Sequence, residues 1–192
     1  MKEFIGVISV ILAFIGYVPY SLNILRGKTK PHAFSWFIWF LLTLIGFSIQ
    51  ISYNAGPGAW MMGLTTVVCF LFFLAGLIKG KSNITVSDWF SLIGAFIAFI
   101  FWLVFKTAIF SVILIVLADF LGFYPTIRKS IIHPYQETLV TYLFSSLKSL
   151  LSLLALTSFS LETAFYLFYL LIVNFSFVLL LVIRRQVIKT YK

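Results

Sequence analysis

The sequence predicts an all-α integral membrane protein. Seven transmembrane helices are expected to form two parallel three-helix bundles (spans one to three and five to seven), joined by a linker helix, span four. Three observations carry this. Of 192 residues, 62% are hydrophobic and 10% charged, with mean hydropathy +1.11; a soluble domain is nearer half apolar and about a quarter charged. Basic residues gather between alternate apolar stretches. An ordered set of residues near the start recurs in the second half.

The apolar stretches are 4–25, 34–54, 59–78, 89–105, 108–127, 137–157 and 163–183. At roughly 20 residues per span, seven spans use about 140 residues and leave short connections. The first begins like a signal sequence, but Tyr17 to Asn23 carries no small-x-small cleavage site, so it is read as a retained helix. Pro31 stands just before span two, where a helix initiator belongs. Only Lys106 and Thr107 divide spans four and five. Their combined length of about 39 residues is too long for one tilted helix and close to the minimum for two. The corresponding domains are 1–81, 82–107 and 108–192.

Charge orients the chain. Arg26, Lys28, Lys30, Lys79, Lys81, Arg128, Lys129, Arg184, Arg185, Lys189 and Lys192 all fall on one side of seven spans. Lys2 and Lys106 fall on the other, and Lys148 lies inside span six. The positive-inside rule then places the N-terminus outside and the C-terminus in the cytoplasm. Topology thus accounts for the net charge of +9 without nucleic acid as a partner. The single Cys69 excludes an intrachain disulfide, and no Cys/His metal spacing occurs. With no nucleophile-plus-base set and no Gly-rich phosphate loop, the reading is not an enzyme and requires no cofactor.

The two halves of the chain share a repeat. Gly16-Tyr17-Val18-Pro19 matches Gly122-Phe123-Tyr124-Pro125 at an offset of 106. After a three-residue gap, Pro31, Ser35 and Trp39 match Pro134, Thr138 and Tyr142. Phe70, Ile78 and Lys79 match Phe175, Ile183 and Arg184 at an offset of 105. A single connecting span gives both triplets the same orientation, a parallel repeat about an axis along the membrane normal.

The paired Gly16-Tyr17-Val18-Pro19-Tyr20 and Gly122-Phe123-Tyr124-Pro125-Thr126 segments, each closing a helix before a basic loop, resemble the SWEET and PQ-loop (MtN3-like) transporter superfamily. The resemblance covers essentially the whole chain at the level of architecture, and Tyr20 and Thr126 stand where the PQ signature has Gln. It implies two three-helix bundles joined by an inversion-linker helix, an outside N-terminus, and asparagines of spans three and seven on the substrate. Here Asn174 is in span seven, with Cys69 as its repeat partner.

Asp119 and Lys148 sit near the middles of spans five and six. A charge at mid-bilayer costs at least about 2.5–3.5 kcal/mol, so a partner or a wet cavity is expected. If spans five and six are neighbours, the two charges face each other. Two roles are then open: an ion pair fixing helix register, and a substrate-binding or proton-linked site. Thr141, Ser145, Lys148, Ser149 and Ser152 recur at helical spacing, a polar face turned toward the interior. The first triplet has Ala13 and Ile45 in place of the pair.

Pro19 and Pro125 are candidate hinges, because a helix-interior proline removes a backbone hydrogen bond. Trp39 and Tyr169 are candidate flanks of the solute, Gln50 and Asn54 could line an entrance, and His32 is a candidate inner gate.

The expected function is transport of a small polar solute by alternating access, with its site near the bilayer midplane. Facilitation and proton coupling are both open: Asp119 locked to Lys148 suits the first, Asp119 free to protonate the second. The alternative is a KDEL-receptor-like receptor or trafficking protein on the same fold. That role requires a basic pocket, and Lys148 is the one intramembrane cation. Lipid is the other expected partner, oligomerisation is not required to form the pathway, and the expected location is a cytoplasmic (inner) membrane.

Overall fold

The computed structural model describes residues 1–27, 31–79, 84 and 86–190, apart from the side chains at 87, 125, 129, 136, 189 and 190. Among them the chain is all-helical: α1 (Lys2–Leu25), α2 (Ala33–Ser52), α3 (Trp60–Lys79), α4 (Val86–Leu103), α5 (Ala108–Ile132), α6 (Leu139–Ala155) and α7 (Leu161–Thr190). Short 3-10 turns at Gly56–Ala59 and Pro134–Gln136 precede α3 and α6.

Five helices are long and apolar enough to cross a membrane: α1, α2, α3 with its leading turn, α5 and α7. The other two are apolar but shorter. At 17 residues α6 rises about 25 Å, against a hydrocarbon core of about 30 Å. Large apolar side chains such as Phe4, Phe14, Leu71, Phe90, Phe110 and Ile172 point outward. So extensive an apolar exterior suits lipid rather than water.

Helix boundaries have local causes. Gly27, at φ +69°, donates its N–H to the Ile24 carbonyl and closes α1 in a left-handed turn. His32 caps α2, with Nδ1 accepting from the Ser35 N–H at 3.3 Å. Pro31, the expected initiator, therefore lies one residue outside the cap. Lys106, at φ +50°, turns the chain between α4 and α5, where the sequence divides those spans. Two helices outrun expectation: α5 continues from 127 to Ile132 and α7 from 183 to Thr190. Basic loop residues are good helix formers once out of the apolar region, so charge marks the end of a span and not of its helix.

Packing shows which helices are neighbours. Among the described residues α3 packs against both α1 and α2, whose backbones stay apart and which meet through side chains such as Tyr20 and Trp36. Likewise α7 packs against both α5 and α6, whose backbones stay apart while the Phe123 and Tyr142 rings meet at 5.9 Å. The links between these groups also come in matched pairs: α1 on α6 and α2 on α5, then α2 on α7 and α3 on α6. α4 lies against α5 and α2. Its Ser91, Ala95 and Ala98 are fully buried, and α5 approaches closely: a Cβ on Gly94 would come 3.0 Å from Ala118 and one on Gly122 3.2 Å from Ser91. Small residues let helices approach closely where no hydrophobic effect drives association.

The non-basic end is tightly closed. Lys2 Nζ donates to the Leu156 carbonyl at 2.6 Å, and Thr157 Oγ1 to the Asn54 carbonyl at 2.7 Å. The Thr157 N–H donates to the Ala55 carbonyl at 3.0 Å. A Cβ on Gly6 would lie 2.9 Å from the Pro57 carbonyl oxygen, and one on Gly58 2.9 Å from both the Leu156 Cα and the Ser152 carbonyl oxygen. Backbone thus meets backbone where α1, the turn before α3 and the C-terminus of α6 converge.

Candidate functional site

The polar face of α6 is where the sequence places it. Ser149 and Ser152 are fully enclosed, Lys148 is 7% exposed, and Thr141, Ser145 and Lys148 border α1. Lys148 Nζ donates to the Tyr17 hydroxyl of α1 at 2.9 Å and stands 4.5 Å from the centre of that ring. The Tyr17 hydroxyl in turn donates to Thr65 Oγ1 of α3 at 3.5 Å, and Thr65 to the Met61 carbonyl at 2.9 Å. An ammonium has three donors, and Tyr17 takes one. Beside it, Leu12, Ala13, Gly16, Thr141, Phe144 and Ser145 border a cavity of about 10 Å³, the size of one water.

Asp119 of α5 is 8% exposed. It lies against the Tyr169 hydroxyl of α7 and the Trp39 indole of α2. The Tyr169 hydroxyl is buried and closes no hydrogen bond. Tyr169 stacks on Tyr166 at 6.1 Å between centroids and 11° between planes. Tyr166 reaches α2 at Gly46, where a Cβ would come 3.1 Å from its ring.

The expected direct pair of Asp119 and Lys148 is not formed: each has other neighbours, and among the described residues no ion pair joins them. The cause is topological. α7 packs between α5 and α6, so a short connection does not make those two helices neighbours. The charges still converge. Cys69 of α3, beside Thr43, is within electrostatic reach of both Lys148 and Asp119. Tyr166 is within reach of Asp119, Tyr169, Cys69 and Tyr17. Six helices, all but α4, therefore contribute to one polar interior.

The other candidates divide. Trp39 and Tyr169 belong to the Asp119 group. Asn174 does not join it: its Nδ2 donates to the Leu170 carbonyl of its own helix at 2.7 Å, the local bond open to any helical amide with no partner across the interface. Gln50 is a closure and not an entrance, 2% exposed, with Nε2 donating to the Thr163 carbonyl at 3.1 Å and Oε1 unpartnered. Asn54, at φ +54°, offers its carbonyl to Thr157 in the same closure. Pro19 lies inside α1 with its ring exposed. Pro125 falls within the range of α5, and its side chain is outside the described residues. His32 serves as the cap of α2, with a buried Nε2 that has no partner.

Near the basic end, aromatic contacts recur at matched repeat positions. Tyr17 meets Phe72 at 6.0 Å, edge to face, and Phe123 meets Phe177 at 5.0 Å. Around the first pair, Trp36 Nε1 donates to the Tyr20 hydroxyl at 3.1 Å. Beside the second, the Tyr142 hydroxyl donates to Glu137 Oε2 at 3.0 Å. Tyr17 is a site residue that the sequence does not single out by itself, although a signal is present. Positions where one copy is polar and the other is not (Ala13 and Asp119, Ile45 and Lys148, Tyr17 and Phe123) mark the polar interior.

No family model, curated protein or solved structure matches this chain.

Proposed function

We propose that this chain is a membrane transporter carrying a small polar solute by alternating access between two three-helix units, α1–α3 and α5–α7, with α4 as the linker and the solute site near the midplane. One observation carries the reading: Asp119 and Lys148 are each more than nine-tenths buried, in different helices, and converge on one interior without pairing. Intramembrane ionisable groups at such cost are functional by default, and a register-fixing ion pair would have been closed.

The matched packing of α3 between α1 and α2 and of α7 between α5 and α6 supports two equivalent moving units. So do the equivalent Tyr17–Phe72 and Phe123–Phe177 contacts. The basic loops put the closed end outside and the aromatic clusters toward the cytoplasm. Among the described residues, hydrogen bonds join the units at the closed end and in the interior, including Ser152 to Ser9 at 3.5 Å. Toward the basic end the Trp36–Tyr20 and Tyr142–Glu137 bonds each join side chains of one unit. The carrier resembles SWEET-type proteins in this division, and works in a cytoplasmic membrane with its N-terminus outside.

The test is uptake into proteoliposomes of labelled sugars, amino acids and vitamins, with trans-stimulation by unlabelled solute as the mark of alternating access. Asp119→Asn and Lys148→Gln are expected to abolish uptake of the accepted solute. Uptake untouched by both variants overturns the reading.

A further inference from the structure

We infer that the transported solute is a small zwitterion, whose anionic pole is taken by Lys148 and whose cationic pole is taken by Asp119. The inference rests on the transporter reading above and names its substrate class.

Among the described residues Lys148 and Asp119 are buried in this interior, and no ion pair joins them. Each retains unused capacity. Lys148 donates to Tyr17 and has two further N–H groups beside the water-sized cavity bordered by Thr141 and Ser145. The Asp119 carboxylate faces two neutral donors, the Tyr169 hydroxyl and the Trp39 indole, and among the described residues no cation pairs with it. Buried charges without a counter-ion are costly enough to need a reason. A bound molecule that supplies both missing partners is one.

The two halves of the site suit opposite poles. Around Lys148 stand the Thr141 and Ser145 hydroxyls, groups that donate to a carboxylate, phosphonate or sulfonate oxygen. Around Asp119 stand the Trp39 and Tyr169 rings, surfaces that attract an ammonium through their π faces. Net charge makes the same selection. The site is neutral as a pair, and a zwitterion leaves it neutral while giving each charge its partner. A sugar leaves both charges unpaired, a lone anion leaves Asp119 unpaired, and a lone cation leaves Lys148 unpaired; each arrangement retains at least one uncompensated charge in low dielectric.

The experiment uses the full chain in lipid nanodiscs and proteoliposomes. The probes are glycine, β-alanine and γ-aminobutyrate, which differ in pole separation. Their controls are acetate and propionate, ethylamine, and neutral glycerol and glucose. Binding is read as a rise in melting temperature, and uptake with labelled probe. At least one zwitterion is expected to bind at least tenfold more tightly than its one-pole analogues, about 1.4 kcal/mol, and to enter the vesicles. Lys148→Gln is expected to convert the preference to ethylamine, and Asp119→Asn to propionate, a reciprocal switch that a purely structural role does not produce. If either variant fails to fold, the wild-type panel decides alone. A neutral or one-pole solute that binds and enters as well as every zwitterion overturns the inference and leaves the transporter intact. A zwitterion that binds without entering supports the charge assignment and removes the transporter. No probe binding and none entering overturns the zwitterion assignment.

Discussion

Tyr17 and Lys148 join the two helix groups through the interior, and removing either partner tests what the lysine is for. Tyr17→Phe deletes the hydroxyl that accepts from Nζ at 2.9 Å and keeps the ring 4.5 Å away. A hydrogen bond to a charged group contributes about 1.5–3 kcal/mol. The neighbouring water-sized cavity lets a solvent molecule replace part of it, so the expected loss is about 1.5–2 kcal/mol. Lys148→Met behaves differently. It loses the same bond and the ring contact, but it also removes a buried charge that costs at least about 2.5–3.5 kcal/mol in the bilayer. The expected result is a protein as stable as the wild type or more so, and inactive. In the Lys148→Met background, adding Tyr17→Phe should cost under about 0.5 kcal/mol, giving a coupling of at least about 1 kcal/mol. Reversible denaturant unfolding in lipid–detergent micelles, followed by tryptophan fluorescence, measures all four corners of the cycle. A coupling near zero refutes the energetic link between the two side chains. A Lys148→Met loss of several kcal/mol makes the lysine a structural residue and takes away the support for a solute site.

Three further outcomes are expected. Gly58→Ala places a methyl 2.9 Å from the Leu156 Cα and the Ser152 carbonyl oxygen, so it should destabilise by about 1–3 kcal/mol and expose a cysteine placed at Thr157 to a membrane-impermeant thiol reagent; unchanged labelling counts against closure there. Gln50→Leu removes one buried hydrogen bond together with the unpartnered Oε1; the two effects oppose, and the variant should unfold within about 1 kcal/mol of the wild type. Pro19→Ala with Pro125→Ala restores backbone donors inside α1 and α5, and should raise thermal stability while slowing uptake; uptake at the wild-type rate ends the hinge idea.

Much of the architecture is legible in the sequence because apolar length and charge placement are one-dimensional signals. The turn at Lys106, the interior face of α6 and the membrane-length helices follow from residues read in order. Helix neighbours do not. Nothing local to α5 or α6 records that α7 packs between them, so Asp119 and Lys148 look paired when read from the chain alone. The bond of Asn174 to its own helix is hidden for a related reason: an amide in a span must be satisfied, yet the sequence does not say whether its own backbone or another helix will do it. Tyr17 is legible only by comparing the two copies, since its hydroxyl is what Phe123 lacks.

The closure at Gly6, Pro57, Gly58 and Leu156 is main chain lying on main chain. Such a joint has no rotamer to flip and no ring to swing aside. Parting it would require whole helices to slide away together, a collective event on the scale of microseconds to milliseconds rather than nanoseconds. In the proposed carrier, an outer joint this slow would set a ceiling on turnover that no change in solute affinity lifts.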